Sequence, residues 1–171
     1  MKKLFIIASL FFSICSFSQH KLYGAESFTL TIPEDFQRTI GLNDYATIQF
    51  KSKLPKPNSY GFLFFVHKDE LKLADSNLDM IDYTLNSIEP YTEQKGFRYI
   101  KQPYITYEQG FNYAYAEFET NDPDMGRIYF LQTIIETKGF IYQILQYCSY
   151  TDREIMKSDF VKIVNSFKIE H

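Results

Sequence analysis

Apolar and polar residues alternate along much of the chain, which is the pattern of β-strands that bury one face. The first such segment, residues 28–32, stops at Pro33, and a second covers residues 45–50. Residues 60–66 form a third predicted strand, and this one is apolar on both faces. A strand of that kind needs cover on both sides, so we expect it inside a sheet that carries helices on each face.

The second half of the chain predicts an antiparallel meander. Four further strands are expected there, over residues 104–108, 111–120, 127–136 and 140–147. Their connections are short and rich in Gly, Asn, Asp and Pro, the residues that turns require. Strands joined so closely pair antiparallel, because a parallel connection needs a dozen residues or more.

Between the two groups of strands the period changes to that of a helix. Apolar residues recur at three- and four-residue steps and define one stripe, which consists of Leu78, Ile81, Leu85 and Ile88. Ser76 is the expected N-cap, because its hydroxyl can accept a hydrogen bond from the first turn. Pro90 has no N–H to donate, so the helix should kink or end near Glu89.

A second helix closes the chain. Its predicted buried stripe consists of Met156, Phe160, Ile163 and Phe167. Thr151 and Glu154 have the spacing of a capping box at its start. Antiparallel strands with two separated amphipathic helices predict an α+β fold. We expect a single-domain sandwich with a central, mainly antiparallel sheet of six to seven strands and helices packed on its faces.

The first 19 residues predict a secretory signal peptide. Lys2 and Lys3 precede a short apolar run, and the small residues Ser16 and Ser18 follow it as a cleavage signal. A membrane-spanning helix needs about 20 apolar residues, and this run is shorter. We therefore expect one mature domain over residues 20–171, without a transmembrane segment, that is either periplasmic or secreted.

The two cysteines fit this interpretation. Cys15 belongs to the signal peptide, which leaves Cys148 without a partner for an intramolecular disulfide. The alternative is that Cys15 anchors a lipid. A lipobox cysteine typically follows a small residue, whereas Ile14 precedes Cys15.

Composition excludes one class of partner. The chain has 18 basic and 21 acidic side chains and a formal net charge of −3. Removing Lys2 and Lys3 makes the balance more acidic, and the basic residues do not cluster. Binding to a phosphate backbone relies on clustered cations, so nucleic acid is not an expected partner.

Two segments resemble the PsbP-like superfamily, which is named for the extrinsic P subunit of photosystem II. Residues 28–36, with the sequence FTLTIPEDF, look like the strand-then-proline start of such domains. Residues 163–168, with the sequence IVNSFK, look like the end of their closing helix. The start of these domains often has a tryptophan after the proline, whereas Phe36 is the nearest aromatic residue here.

The resemblance implies a PsbP-like α+β domain over nearly all of the mature chain. The superfamily also includes the Ran guanine-nucleotide release factor and bacterial envelope proteins of the DcrB type. Its members mostly act as binding or assembly subunits. The resemblance therefore implies a non-enzymatic role, and no binding residue of the family has a clear counterpart in this sequence.

The residues with catalytic potential form no recognised motif. His67 precedes Lys68, Asp69 and Glu70, and this group either binds a metal or forms a solvated connection between strand and helix. Cys148 would need a neighbouring base such as His67 to act as a nucleophile. The chain also lacks the G-x-S-x-G elbow of serine hydrolases. We therefore predict that the protein is not an enzyme and needs no cofactor.

One acidic turn has part of the pattern of a calcium loop. Asp122, Asp124 and Gly126 have D-x-D-x-G spacing, but the pattern breaks off where a strand is predicted from Arg127. The same residue types are what a hairpin turn requires. Asp122 and Asp124 are thus weak candidates for metal ligands.

A group of tyrosines is the candidate ligand-binding surface. Tyr113 and Tyr115 alternate on one strand, and Tyr104 and Tyr107 lie on the strand before it. If this face is open, it can stack on a peptide, a sugar or an apolar molecule. If a helix covers it, the same tyrosines belong to the core and reach the rim with their hydroxyl groups.

These observations lead to one main hypothesis and two rivals. The main one is an exported, non-enzymatic accessory or binding protein of a bacterial cell envelope, whose partner is another envelope protein. The first rival is a small-ligand binding protein that uses the tyrosine-rich face. The second is an exported hydrolase, which would require His67 to lie close to Cys148 or to the acidic turn.

Overall fold

The structure is a computed structural model that describes residues 20–23, 28–74 and 79–170. The predicted signal peptide, Cys15 and Ser76 lie outside these residues. The strands are β1 (His20–Tyr23), β2 (Phe28–Ile32), β3 (Phe36–Thr39), β4 (Ile48–Ser52), β5 (Ser59–His67), β6 (Arg98–Glu108), β7 (Phe111–Asp122), β8 (Gly126–Glu136), β9 (Phe140–Ser149) and β10 (Lys168–Ile169). The helices are α1 (Lys68–Ala74), α2 (Met80–Thr92) and α3 (Arg153–Asn165), and a 3-10 turn, Tyr150–Asp152, precedes α3.

Seven of the described strands form one sheet in the order β3-β4-β5-β9-β8-β7-β6. Every neighbouring pair in it is antiparallel. Strands β1, β2 and β10 form a second, small sheet, with β2 in the middle. The predicted α+β sandwich and its antiparallel sheet are confirmed. Strand β5 lies inside the sheet between β4 and β9, as its two apolar faces require.

The large sheet has two covered faces. On one face, Tyr113, Tyr129 and Tyr142 join the main core cluster with Phe28 of β2 and Phe160 of α3. We call this the α3 face. The opposite side is the α2 face, where residues from β7 to β9 pack against Ile88 of α2. Within the described residues, no helix is both long and apolar enough to cross a membrane.

Helix α2 begins later than the sequence predicts. Its N-cap is Asp79, whose side chain accepts a hydrogen bond of 2.8 Å from the backbone N–H of Asp82. The expected cap at Ser76 is therefore wrong for this helix. Asp79 supplies the acceptor that the first turn needs and also a negative charge, which favours a helix N-terminus.

The buried stripe of α2 also differs from the prediction. Thr84 and Ile88 are fully buried, whereas Leu85, which was expected in the stripe, is 40% exposed. The Thr84 hydroxyl is satisfied by the carbonyl of Met80 at 2.7 Å, which allows a polar residue at a buried position. The helix continues through Pro90 and ends at Thr92, so it does not end near Glu89.

Helix α3 agrees with the predicted stripe but not with the predicted cap. The expected stripe residues Met156, Phe160 and Ile163 are fully buried on the helix, and Phe167 is fully buried just beyond its end at Asn165. The N-cap position is Asp152, and the Thr151 hydroxyl instead pairs with the hydroxyl of Ser149 at 3.0 Å. A 3-10 turn therefore replaces the capping box.

Several other elements were not predicted or were misplaced. The strand expected over residues 45–50 is β4, which begins only at Ile48, and β3 was not predicted. The connection after His67 is helix α1 instead of a loop. Strand β6 extends back to Arg98 through Pro103, with two register shifts before Tyr104. Proline is tolerated there because β6 is an edge strand.

Candidate functional site

The two predicted catalytic candidates lie at opposite ends of one strand pair. His67 of β5 is opposite Phe140, whereas Cys148 of β9 is opposite Ser59. Eight residues separate these positions along β5, which corresponds to about 26 Å in an extended strand. A nucleophile and its base must lie within hydrogen-bond reach, even allowing for a looser unliganded site. His67 and Cys148 therefore cannot form a catalytic pair.

The surroundings of each residue support the same conclusion. Cys148 is 2% exposed, and burial raises the pKa of its thiol to about 12, with a smaller contribution from Asp152. The thiolate is thus disfavoured at neutral pH. His67 accepts a hydrogen bond from the backbone N–H of Asp69 at 3.2 Å and packs edge-on against Phe140.

The acidic turn is organised by its own backbone. One Asp122 carboxylate oxygen accepts hydrogen bonds from the N–H groups of Asp124 and Met125, each at 2.8 Å. These bonds close the β7–β8 hairpin. Among the described residues, no group of three or more His, Cys, Asp or Glu side chains is placed to hold a metal ion. Metal binding by Asp122 and Asp124 stays a prediction.

The four candidate tyrosines do not form one surface. Tyr113 is fully buried and Tyr115 is 7% exposed, both on the α3 face. Tyr104 is half-buried beside them, and its ring stacks on Tyr115 at 5.6 Å. Tyr107 is 73% exposed and lies on the opposite face of the sheet. The spacing of Tyr104 and Tyr107 contained this information, because residues three apart in a strand point to opposite sides.

The buried tyrosines of the α3 face have the properties of core residues. Tyr113 stacks on Tyr115 with ring centroids 5.9 Å apart, and burial, aided by Glu108, raises the pKa of Tyr113 to about 12. Its hydroxyl has no hydrogen-bond partner among the described residues. A ligand would reach Tyr104 and Tyr107 from two different sides, so binding by all four tyrosines stays a prediction that needs the core to open.

The largest cavity among those described lies between β2, α3 and the β4–β5 connection, with a volume of about 580 Å³. Lys56 lies in it and pairs with Asp35 at 2.7 Å and with Asp159. Burial opposes the charge of Lys56, but these two hydrogen bonds outweigh it and raise the pKa of Lys56. Lys162 lies 3.3 Å from Asp159. The charges in this cleft are thus already paired within the protein.

A second cavity, of about 300 Å³, opens where the β4–β5 connection, the β7–β8 hairpin and the end of β9 meet. We call it the Tyr60 cavity, and its lining residues are Asn58, Tyr60, Met125, Ile128, Tyr147, Cys148, Ser149 and Asp152. The rings of Tyr60 and Tyr147 lie 5.2 Å apart at 30°. Their residues come from distant parts of the chain, so the sequence alone did not reveal this site.

A third feature is the connection between β3 and β4, residues 40–47, which we call the apolar loop. It presents three large hydrophobic side chains to solvent: Ile40 is 84% exposed, Leu42 47% and Tyr45 89%. Single exposed apolar residues are ordinary, but three within six residues of one loop are not.

The apolar loop is held by two side-chain amides. The buried Gln49 accepts hydrogen bonds from the N–H groups of Leu42 and Asn43 and donates one of 2.5 Å to the Asn43 carbonyl. The Asn43 side chain accepts from the N–H groups of Tyr45 and Ala46. The loop therefore has a defined conformation before it meets any partner.

Comparison with known proteins identifies the fold. No protein-family model matches the chain, and no curated protein sequence matches it. Solved structures do match. The cyanobacterial PsbP protein CyanoP from Synechocystis sp. PCC 6803 is 12% identical, with a TM-score of 0.64 over 92% of this chain and 96% of that protein. The chain thus has a PsbP-like α+β fold, as the resemblance implied.

Two further structures share this fold. LpqN, described as involved in cell envelope biogenesis of Mycobacterium tuberculosis, is 9% identical, with a TM-score of 0.63 over 90% of this chain and 91% of LpqN. PA94, a Pseudomonas aeruginosa protein of unknown function, is 14% identical, with a TM-score of 0.54 over 86% of this chain and 94% of PA94. At these identities the likeness concerns the fold alone.

Proposed function

We propose that this protein is an exported, non-catalytic accessory protein of a bacterial cell envelope that binds another envelope protein through the apolar loop. The observation that carries the proposal is the exposure of Ile40, Leu42 and Tyr45 on a loop fixed by internal hydrogen bonds. The predicted signal peptide and the fold shared with LpqN support the envelope location.

The geometry of the loop favours binding energetically. Tyr45 and Ile40 are almost fully exposed, so a partner that covers them removes most of their apolar area from water. Each such side chain contributes about 1.5–3 kcal/mol when it becomes fully buried. Because Gln49 already orders the backbone, association loses less conformational entropy than it would with a flexible loop. Exposed tyrosines of this kind are frequent anchors of protein interfaces.

A protein surface suits the loop better than a lipid bilayer. Asp44 lies between Asn43 and Tyr45 at the tip of the loop. Inserting the tip into hydrocarbon would desolvate this carboxylate, which is costly. A protein partner can instead bury the three apolar side chains in a pocket and place a cation beside Asp44. We therefore propose a partner with an apolar pocket that has a basic rim.

Site-specific photocrosslinking in the native organism tests this contact. A photoreactive amino acid replaces Tyr45 in one strain and Tyr107, which is also well exposed, in a control strain. We expect one discrete crosslinked protein from position 45 and none from position 107. Leu42→Ser should weaken binding of that purified partner at least about tenfold. Equal crosslinking at both positions, or unchanged affinity in the Leu42→Ser variant, would contradict the proposal.

A reporter fusion tests the cellular location separately from the contact. A reporter that is active only outside the cytoplasm is fused to residues 1–30, and a second fusion carries Leu10→Arg in the apolar run. We expect activity from the first fusion and its loss in the second, because a charge disrupts the apolar region of a signal peptide. Cytoplasmic retention of the full chain would exclude the exported role, whatever the apolar loop binds.

A further inference from the structure

We infer that the Tyr60 cavity binds a small organic cation, an alkylammonium group. This inference goes beyond the proposed function, since it concerns another site and a different class of ligand. The cavity and the apolar loop flank opposite ends of β4: the loop leads into Ile48, and Asn58 follows the connection after Ser52. Each site can thus be changed without altering the other.

The aromatic walls of the cavity are held in place. Tyr147 stacks on Phe62 at 5.9 Å and lies 5.5 Å from Phe130, in addition to its contact with Tyr60. Both tyrosines are half-buried, and both line the cavity. The faces of aromatic rings carry partial negative charge and attract a desolvated cation.

Asp152 is the one charged side chain among the described residues that line the cavity, and the cation nearest to them by strand pairing is Lys51, opposite Tyr60 on β4. The Asp152 side chain makes no capping hydrogen bond to α3 and no ion pair among the described residues. Asp122 lies close enough to contribute to the raised pKa of the Tyr147 hydroxyl, which burial chiefly causes. No lysine or arginine is among the described lining residues.

The two nearest arginines along the chain are engaged elsewhere. Arg127 and Arg153 both stack on the ring of Tyr150, with guanidinium carbons 3.5 Å and 4.5 Å from its centroid. They also pair with Glu119 and Glu154, respectively. Neither arginine therefore forms an ion pair with the Asp152 carboxylate.

Size and lining limit the ligand. A volume of about 300 Å³ lies at the lower end of the range of ligand pockets and suits a compact group. Met125 and Ile128 supply apolar contacts for methyl or methylene groups, while Asn58 and Ser149 can bind a hydroxyl. A quaternary ammonium or a short alkylamine has this combination of charge and apolar surface, whereas an anion or a polyol does not.

Titration of the purified protein by NMR with choline tests the inference. The neutral isostere 3,3-dimethyl-1-butanol is the matched ligand, because it has the same shape without the charge. We expect choline to shift the signals of residues lining the cavity and to bind about tenfold more tightly than the isostere. n-Butylammonium as a third probe distinguishes a primary from a quaternary ammonium.

Four variants make the result decisive. Tyr60→Leu removes one aromatic wall, and Asp152→Asn removes the charge while leaving the shape; each should weaken choline at least about fivefold. The controls Tyr83→Leu and Glu89→Gln, at residues that do not line the cavity, should leave its affinity unchanged. Equal affinity for choline and the isostere, unchanged binding in both cavity variants, or no binding of either ammonium would overturn the inference. Choline binding without any apolar-loop crosslink would contradict only the proposed function.

Discussion

The two faces of the large sheet are built from alternate residues of the same strands, yet they are stabilised differently. On the α3 face, the Glu117 carboxylate is 6% exposed and binds Lys157 at 2.7 Å and the Tyr129 hydroxyl at 2.9 Å. On the α2 face, the neighbouring residue Phe118 stacks on Phe130 at 4.8 Å, with rings nearly parallel.

This difference shows how one strand can carry two kinds of core. The α2 face gains its stability from packed aromatic volume, which does not depend on protonation. The α3 face contains charges that are stable only while they are paired, because an unpaired buried carboxylate is costly. We therefore expect mutations of the paired charges on the α3 face to depend on pH and on the partner residue, and mutations of the aromatic residues on the α2 face not to.

The largest expected effect is on the α2 face. Phe118→Ala removes a fully buried ring that contacts Tyr91, Phe97 and Phe130. We expect a loss of about 3–5 kcal/mol in the free energy of unfolding, measured with urea, with little change between pH 5 and pH 8. The exposed control Tyr107→Ala should change it by less than about 0.5 kcal/mol. A strong pH dependence for Phe118→Ala would break the comparison.

The next effect concerns the buried ion pair. Lys157→Met leaves Glu117 with only the Tyr129 hydroxyl as partner, and we expect a loss of about 1–3 kcal/mol at pH 7. This loss is smaller than that expected for a fully buried ion pair, because the Lys157 side chain is 42% exposed. The double variant Glu117→Gln/Lys157→Met should recover most of the loss in the same urea measurement. If the double variant is as unstable as Lys157→Met, the unpaired charge of Glu117 is not the cause of the lost stability.

A smaller effect, of opposite sign, is expected at Gln146. This side chain is fully buried on the α3 face opposite Gly61, and neither amide atom has a hydrogen-bond partner among the described residues. Gln146→Met should stabilise the protein by about 1 kcal/mol in thermal and urea unfolding. Gln49→Met is the matched control and should destabilise it, because Gln49 orders the apolar loop. A destabilised Gln146→Met variant would indicate a buried water molecule at this amide.

The smallest effect is the pH dependence due to Glu119. Burial raises its pKa, but hydrogen bonds from Arg98 and Arg127 outweigh this and lower the folded-state pKa below the ordinary value of 4.5. Its contribution is therefore complete above about pH 4.5 and is lost as the pH falls through the folded-state value. Glu119→Gln should cost less than about 1 kcal/mol at pH 7, since both arginines are partly exposed.

Urea unfolding at pH 7 and pH 3 measures this difference. The stability of wild type and Glu119→Gln should converge at the lower pH, while the exposed control Glu89→Gln stays close to wild type at both. A gap that widens on acidification would contradict the direction of the pKa shift.

Much of the fold was predictable because strands β5, β7, β8 and β9 carry strong alternation or long apolar runs. Each was placed within two residues at both ends. The buried stripe of α3 was also correct. Predictions from local sequence patterns were wrong where tertiary packing determines which side chain of a helix is buried. Leu85 is as apolar as Ile88, but α2 is oriented so that Thr84 is buried instead, and the hydrogen bond from its hydroxyl to the Met80 carbonyl allows this.

The candidate sites were less predictable than the fold. The separation of His67 from Cys148 follows only from the pairing of β5 with β9, which no local pattern contains. The sequence spacing already placed Tyr104 and Tyr107 on opposite faces of their strand. The burial of Tyr113 and Tyr115, in contrast, depends on what packs over them. The Tyr60 cavity joins three connections that are far apart in the sequence.

The sequence by itself determined most of the long strands, the two longer helices and the residues that favour the interior. Alternation, helical period and turn residues determine these features because they act over a few positions. The sequence also carried the PsbP-like resemblance and the predicted export signal. Only the tertiary structure decided which faces are covered, which charges pair and where cavities remain. These properties depend on the register between distant strands and on the packing of helices over them, and both arise from contacts between residues remote along the chain.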